Sequence, residues 1–225
     1  MNQIQGCDPQ NTVLIFDFDG TICDSFLESV KVMNELAPRY GYKSIPLEQA
    51  EHLKTLGFQQ FLKVLGLPAY KVPIVLHAGR KIMRERMPGL KPITGLFPIL
   101  NILRDNGFEM GILTSNSKAN VEAFLRAHDF NNFSFIHAYT NIFGKGRGLK
   151  KLKTHPLYRN KTLIYIGDEV RDITACHEAK IPIIAVTWGF NAPSLLTPTN
   201  PAALIESPQD LFQLIATNNN SRGNT

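Results

Sequence analysis

Short apolar runs separated by amphipathic stretches of helical length set the rhythm of most of this chain. Val13-Leu14-Ile15-Phe16 reads as a buried strand, and further strands are predicted over residues 109–114, 133–139, 162–166 and 183–188. Between them, residues 93–106, 118–128, 145–152 and 172–179 carry apolar positions three or four apart, as in Val121, Phe124 and Leu125. Such alternation predicts an α/β fold with a Rossmann-like parallel sheet, helices on both faces, and ligands at the carboxyl ends of the strands.

Residues 22–88 break the rhythm. Ile22, Phe26, Val30, Met33 and Ala37 predict a helix ending near Pro38. Phe58, Phe61, Leu62 and Leu65 predict another before Gly66, and residues 73–87, with Leu76, Ile82 and Met83, a third that stops at Pro88-Gly89. No segment here reads as a strand, so an all-helical block is inserted between the first two strands. The expected division is a core of residues 1–21 and 89–216, a helical insertion of 22–88, and a disordered tail of 217–225, which has no apolar residue after Thr217.

The chemistry gathers where strands end. The first run delivers Asp17 and Asp19 into the turn Gly20-Thr21, and buried carboxylates at a strand end need a counter-charge or a metal. Two of them one residue apart suggest a hard cation and a nucleophile, although Asp and Gly also serve ordinary turns. The second run ends in Thr114-Ser115-Asn116, hydroxyls and amides placed at a predicted helix start. The stretch Gly144-Lys145-Gly146-Arg147-Gly148-Leu149-Lys150-Lys151 precedes a run that ends in Gly167-Asp168-Glu169-Val170-Arg171-Asp172.

These four segments, in this order, resemble the four motifs of the haloacid dehalogenase superfamily, and specifically its phosphatase branch, over about residues 12–215. The resemblance implies that Asp17 is a nucleophile forming an aspartyl-phosphate, and that Asp19 protonates the leaving oxygen and then activates water. It implies Mg2+ held by Asp17, the main-chain carbonyl of Asp19 and Asp168, with Asp172 holding a metal-bound water and Glu169 a further candidate for that task. Gly20, Thr21, the Thr114 hydroxyl and the amides of Ser115 and Asn116 would bind the phosphate. Lys145 would neutralise it; the Lys-Pro dipeptide of many relatives is absent, so Lys150 and Lys151 stay open for that role. The inserted helices would form a mobile cap that reads the leaving group, with Arg39, Lys43, His52, Lys54, Gln59 and Gln60 as candidates. Ile183-Ile184-Ala185-Val186-Thr187-Trp188-Gly189-Phe190 is similar to the corresponding part of phosphoglycolate phosphatases. The expected activity is hydrolysis of a small phosphate monoester. A phosphosugar mutase and an inorganic pyrophosphatase are alternatives on the same fold, and a non-catalytic phosphate- or partner-binding protein is the alternative from another class.

Composition narrows the partners. The 225-residue chain is 44% hydrophobic, enough for a packed core, with a formal charge of +5 and pI near 9.1. Its basic residues do not interleave with aromatics as in nucleic-acid modules, so a small phosphorylated metabolite is the expected partner and nucleic acid is not. No apolar run approaches the roughly 20 residues of a membrane span, and Met1-Asn2-Gln3-Ile4-Gln5 lacks a leader pattern, so a cytoplasmic protein without membrane contact is expected. Cys7, Cys23 and Cys176 are scattered without a paired spacing and read as reduced thiols.

Overall fold

The computed structural model describes residue 4 and residues 7–139 and 144–216. Six parallel strands form one sheet in the order β3-β2-β1-β4-β5-β6: β1 Thr12–Phe16, β2 Glu109–Thr114, β3 Phe135–Ala138, β4 Thr162–Gly167, β5 Ile183–Val186 and β6 Ala203–Ile205. β1 lies at the centre because it is apolar on both faces. Val13 and Ile15 join one side-chain cluster with Leu113, Tyr165 and Ile183, whereas Leu14 and Phe16 join another with Ile112, Ile166 and Ile184. The strand order reverses between β1 and β4, and the crevice beyond their carboxyl ends is where such a sheet takes its ligands.

Helices α7 Lys145–Thr154 and α8 Val170–Ala179 cover the first face; α5 Leu96–Asp105, α6 Lys118–Ala127 and α10 Pro208–Ala216 cover the second. The segment between β1 and β2 is helical, with α1 Phe26–Tyr40, α2 Ala50–Leu53, α3 Phe58–Leu65 and α4 Val72–Arg86. Helix α4 packs on α1, where Gly79 faces Val32 and Leu36. The two connections to the core run side by side: Ile93 N donates to Ile22 O at 2.8 Å and Asp24 N to Lys91 O at 2.9 Å. No single helix among the described residues is long and apolar enough to cross a membrane.

Several sequence expectations are corrected. Ile22 lies outside α1, in a tight turn where its amide donates to Phe18 O, and the helix begins only at Phe26. It then runs through Pro38 to Tyr40. Proline removes one ladder bond but its φ suits a helix, and the stop is Gly41 in the left-handed conformation at φ 69°, with its amide on Ala37 O. The helix expected over 93–106 starts at Leu96, because Gly95 at φ 80° turns the chain just before it. β5 ends at Val186 rather than Trp188, and β6, α9 (Pro193–Leu196) and α10 were not anticipated, since each is short or bounded by proline. The tail of 217–225 lies outside the described residues.

Gly111, in the middle of β2, faces the ring of Phe135 on the adjacent strand, and a Cβ there would fall inside the ring's van der Waals envelope. Gly111→Ala should therefore destabilise the fold by about 1–3 kcal/mol through overpacking, read as a lower urea midpoint at unchanged slope. An unchanged midpoint would show that Phe135 moves aside freely.

Candidate active site

Asp17 follows β1 directly, and its amide extends the ladder by donating to Ile166 O at 2.8 Å. Lys145 opens α7 and Asp172 stands in the first turn of α8, two helices packed on the same face of the sheet. The Lys145 Nζ donates to Asp17 Oδ2 and to Asp172 Oδ1, each at 2.6 Å, with all three residues at most 5% exposed. Gly167 permits the close approach of Asp172, whose carboxylate occupies the space a Cβ at 167 would take. Lys150 and Lys151, the other lysines considered, are exposed.

Asp19 is half-buried and held by two donors, Ser25 Oγ to Oδ1 at 2.9 Å and Asn116 Nδ2 to Oδ2 at 2.8 Å. Asn120 in turn donates through Nδ2 to Asn116 Oδ1 at 2.9 Å and to the main-chain carbonyl of Arg80 at 3.1 Å. Asp168 is fully buried. It accepts from Thr21 Oγ1 at 2.6 Å and from Phe190 N at 2.7 Å, and Gly20, at φ 75°, leaves the room its carboxylate needs. Thr21 and Gly20 thus meet Asp168. The Asn116 amide donates to Thr114 Oγ1 at 3.0 Å, which leaves the buried Thr114 hydroxyl its own proton to give. Ser115 and Asn116 precede the start of α6 rather than form it: the helix begins at Lys118, and Ser117 caps it by accepting from Asn120 N.

Burial dominates the electrostatics. It pushes the Asp17 carboxyl up despite the opposing Lys145, the Asp19 carboxyl up despite its Ser25 and Asn116 donors, Asp168 well up, and Asp172 up to about 7. Burial pushes Glu169 the same way, but Arg171 and Lys145 outweigh it and hold that carboxyl below its ordinary value. Arg171 meets both Glu169 oxygens, at 2.6 and 2.7 Å.

The donor set suits a hard divalent cation. Carboxylate oxygens of Asp17, Glu169 and Asp172 lie within 4.8 Å of one another, and Asp17 Oδ1 and Asp172 Oδ2 are buried without a hydrogen-bond partner. Five carboxylates, on Asp17, Asp19, Asp168, Glu169 and Asp172, face the cations Lys145, Arg171 and Arg80, so negative charge is in excess. Asp168, an expected ligand, is turned toward Thr21 and Phe190, whereas Glu169, given a lesser place by the sequence, stands inside the cluster.

A cavity of about 330 Å3 separates this constellation from the helical insertion, with Asp19, Ser115, Asn116 and Glu169 on its core wall. None of the residues named from sequence as readers of the leaving group lines it. Arg39, Lys43, His52, Gln59 and Gln60 are exposed, and Lys54 lies over the Phe26 ring at 4.5 Å. Sequence reasoning missed Arg80, Asn120 and Ser25. Two signals were present: Asn116 and Asn120 are four apart, and Arg80 interrupts the stripe Val72, Val75, Leu76, Gly79, Met83.

The model of the haloacid dehalogenase-like hydrolases matches residues 14–186. Over 203 residues the chain is 34% identical to a phosphoglycolate phosphatase of Synechococcus elongatus, covering 90% of this chain and 96% of that one. Its fold is similar to a crystal structure described as a predicted phosphatase from Clostridium acetobutylicum, with TM-score 0.77, 20% identity, and coverage of 92% and 99%. It is also similar to a haloacid dehalogenase-like hydrolase of Streptococcus pneumoniae, with TM-score 0.71, 17% identity, and coverage of 90% and 97%. With the strand-end carboxylates, the buried lysine and the helical insertion all at the carboxyl edge of one parallel sheet, the chain belongs to the haloacid dehalogenase-like hydrolase family.

Proposed function

We propose that this protein is a magnesium-dependent phosphatase that hydrolyses a small phosphate monoester through an aspartyl-phosphate on Asp17. The observation that carries the reading is the pair of unlike carboxyls one residue apart. Asp17 is locked to Lys145 at the buried end of β1, and Asp19 faces the cavity. Burial raises both carboxyls, but of the two Asp17 alone is bonded by the Lys145 ammonium, which works toward the ionised form a nucleophile needs. The hydrogen bonds on Asp19 come from the neutral Ser25 and Asn116, and its burial favours the proton a general acid must hold. Asp17 Oδ1, without a hydrogen-bond partner, is the oxygen left to attack phosphorus or to meet a cation.

Asp19 would protonate the departing alcohol oxygen and then take a proton from the water that hydrolyses the acyl-phosphate. Lys145 and the Thr114 hydroxyl would meet the phosphoryl oxygens. Mg2+ fits the acidic cluster, with Asp17, Glu169 and Asp172 as holders and Asp168 bracing the loop; when bound it would offset the charge of phosphate facing carboxylates. Residues 22–88 would act as a cap. The paired connections at 22–24 and 91–93 form a narrow hinge, and the cap meets the core through Lys54 O accepting from Ala192 N and through Arg171 over the Phe58 ring at 5.3 Å. The phosphoglycolate phosphatase relative points the substrate toward a small phosphorylated acid.

Asp17→Asn keeps the size of the side chain but removes the attacking charge, so turnover of any substrate should fall at least about a thousandfold, or about 4 kcal/mol of barrier. Phosphate release in the presence of Mg2+ measures it, and near-normal turnover would exclude Asp17 as the nucleophile.

The raised carboxyls also set a pH dependence. They titrate near 4 in the unfolded chain and higher when folded, with Asp172 reaching about 7. The folded state therefore holds protons that the unfolded chain has released, and the stability these groups confer in acid is lost as pH rises from about 4 through 7. A cation at the same oxygens competes with those protons, so Mg2+ should raise Tm more at pH 8 than at pH 5. An equal or larger rise at pH 5 would place Mg2+ away from this cluster.

A further inference from the structure

Asp19 is held on one side by Asn116, and Asn116 is held in turn by the first turn of α6. The Asn116 side-chain oxygen accepts from Ser117 N at 2.7 Å and from Asn120 Nδ2 at 2.9 Å, which directs its amide nitrogen to Asp19 Oδ2 at 2.8 Å. The other proton of Asn120 Nδ2 goes to the main-chain carbonyl of Arg80 at 3.1 Å, an oxygen inside α4 that the helix ladder also uses. Asn120 thus stands between the helical insertion and the Asp19 carboxyl, with both its protons engaged. It is 1% exposed, so bulk water does not compete for either bond.

The same amide leaves its own oxygen, Asn120 Oδ1, buried without a hydrogen-bond partner among the described residues. An orphaned acceptor carries a desolvation penalty that an apolar side chain of similar shape avoids, so the stability of the fold does not account for an asparagine here. Its two protons do. The Asp19 carboxyl takes one bond from Ser25 and one from Asn116, and these set its rotation. A general acid must aim its proton at the leaving oxygen within hydrogen-bond reach, so a carboxyl free to turn loses rate. Successive amides in a buried chain also polarise one another, which strengthens the last bond, the one on Asp19. We propose that Asn120 is a positioning residue for Asp19: through Asn116 it fixes the carboxyl that protonates the leaving oxygen, and it braces that carboxyl against α4. This assignment rests on the phosphatase reading above.

Two esters of similar shape test it with the full chain and Mg2+: phenyl phosphate, whose leaving group needs a proton, and 4-nitrophenyl phosphate, whose leaving group departs as a stable anion. The mostly apolar wall of the cavity takes either ring. The ratio kcat/KM covers the chemistry up to release of the phenol, and so reads the acid directly. In Asn120→Leu, which keeps the branched shape without the donors, it should fall at least about tenfold for phenyl phosphate and less than about threefold for the nitro ester. Should Asn120→Leu fail to fold, as read by Tm, the same comparison in Asn120→Ala decides. A parallel fall for both esters, or no fall for phenyl phosphate, overturns the role of Asn120 and leaves the phosphatase reading standing. So does a wild-type protein active on the nitro ester alone, since an acid held in place serves the phenol. Release of phosphate from neither ester overturns both readings.

Discussion

A single ammonium group between two buried carboxylates organises this molecule. Lys145 reaches Asp17 at the end of β1 and Asp172 at the start of α8, so strand, loop and two helices converge on one charge. Desolvating three ionised groups is costly, and only hydrogen bonds as short and complete as these offset it. Nothing in the apolar layers of the sheet demands this arrangement. Hydrophobic packing explains why β1 is central, but the ammonium explains why Gly144–Lys145 and Asp168–Asp172 meet there. The remaining unpartnered oxygens, Asp17 Oδ1 and Asp172 Oδ2, mark where that balance is left incomplete. A folded protein that keeps such atoms buried and unpaired retains a local deficit that a cation can relieve.

What the sequence made legible follows the range of the interactions involved. β1, β2, β4 and the helices between them were readable because their signals are local: a run of branched residues, a three- or four-residue period, a flanking glycine. Asp17, Lys145 and Asp172 were readable as members of ordered segments, although 128 residues separate the first two. The helix through Pro38 was misread because a proline near a C-terminus resembles a stop, while the left-handed Gly41 that ends the helix has a weaker local signature. β6 and α10 were missed because three strand residues and a helix opening on proline offer too little pattern to register.

Within the site, legibility failed where side-chain direction decides the outcome. Spacing cannot show that Asp168 turns toward Thr21 and Phe190 while Glu169, its neighbour, turns toward Asp17. Along β4 and beyond, successive side chains point to opposite faces, so adjacent acids serve different surroundings. The candidates named on the helical insertion do not line the cavity for a related reason. Polar residues on an amphipathic helix mostly face water, and Arg80, which lines the cavity, sits inside an apolar stripe where hydrophobic packing alone would have placed a leucine.

The link from Asn120 to Arg80 has a consequence for how such a protein can change over time. The amide grips the main-chain carbonyl at position 80, not the guanidinium. Every amino acid presents that carbonyl, so replacing the side chain leaves α4 tethered to α6 and leaves Asn116 in place beside Asp19. The identity of the side chain at position 80 and the placement of Asn116 beside Asp19 are therefore mechanically separable. A lineage built on this scaffold can try new side chains at position 80, on the wall of the cavity, without disturbing the amides that hold Asp19.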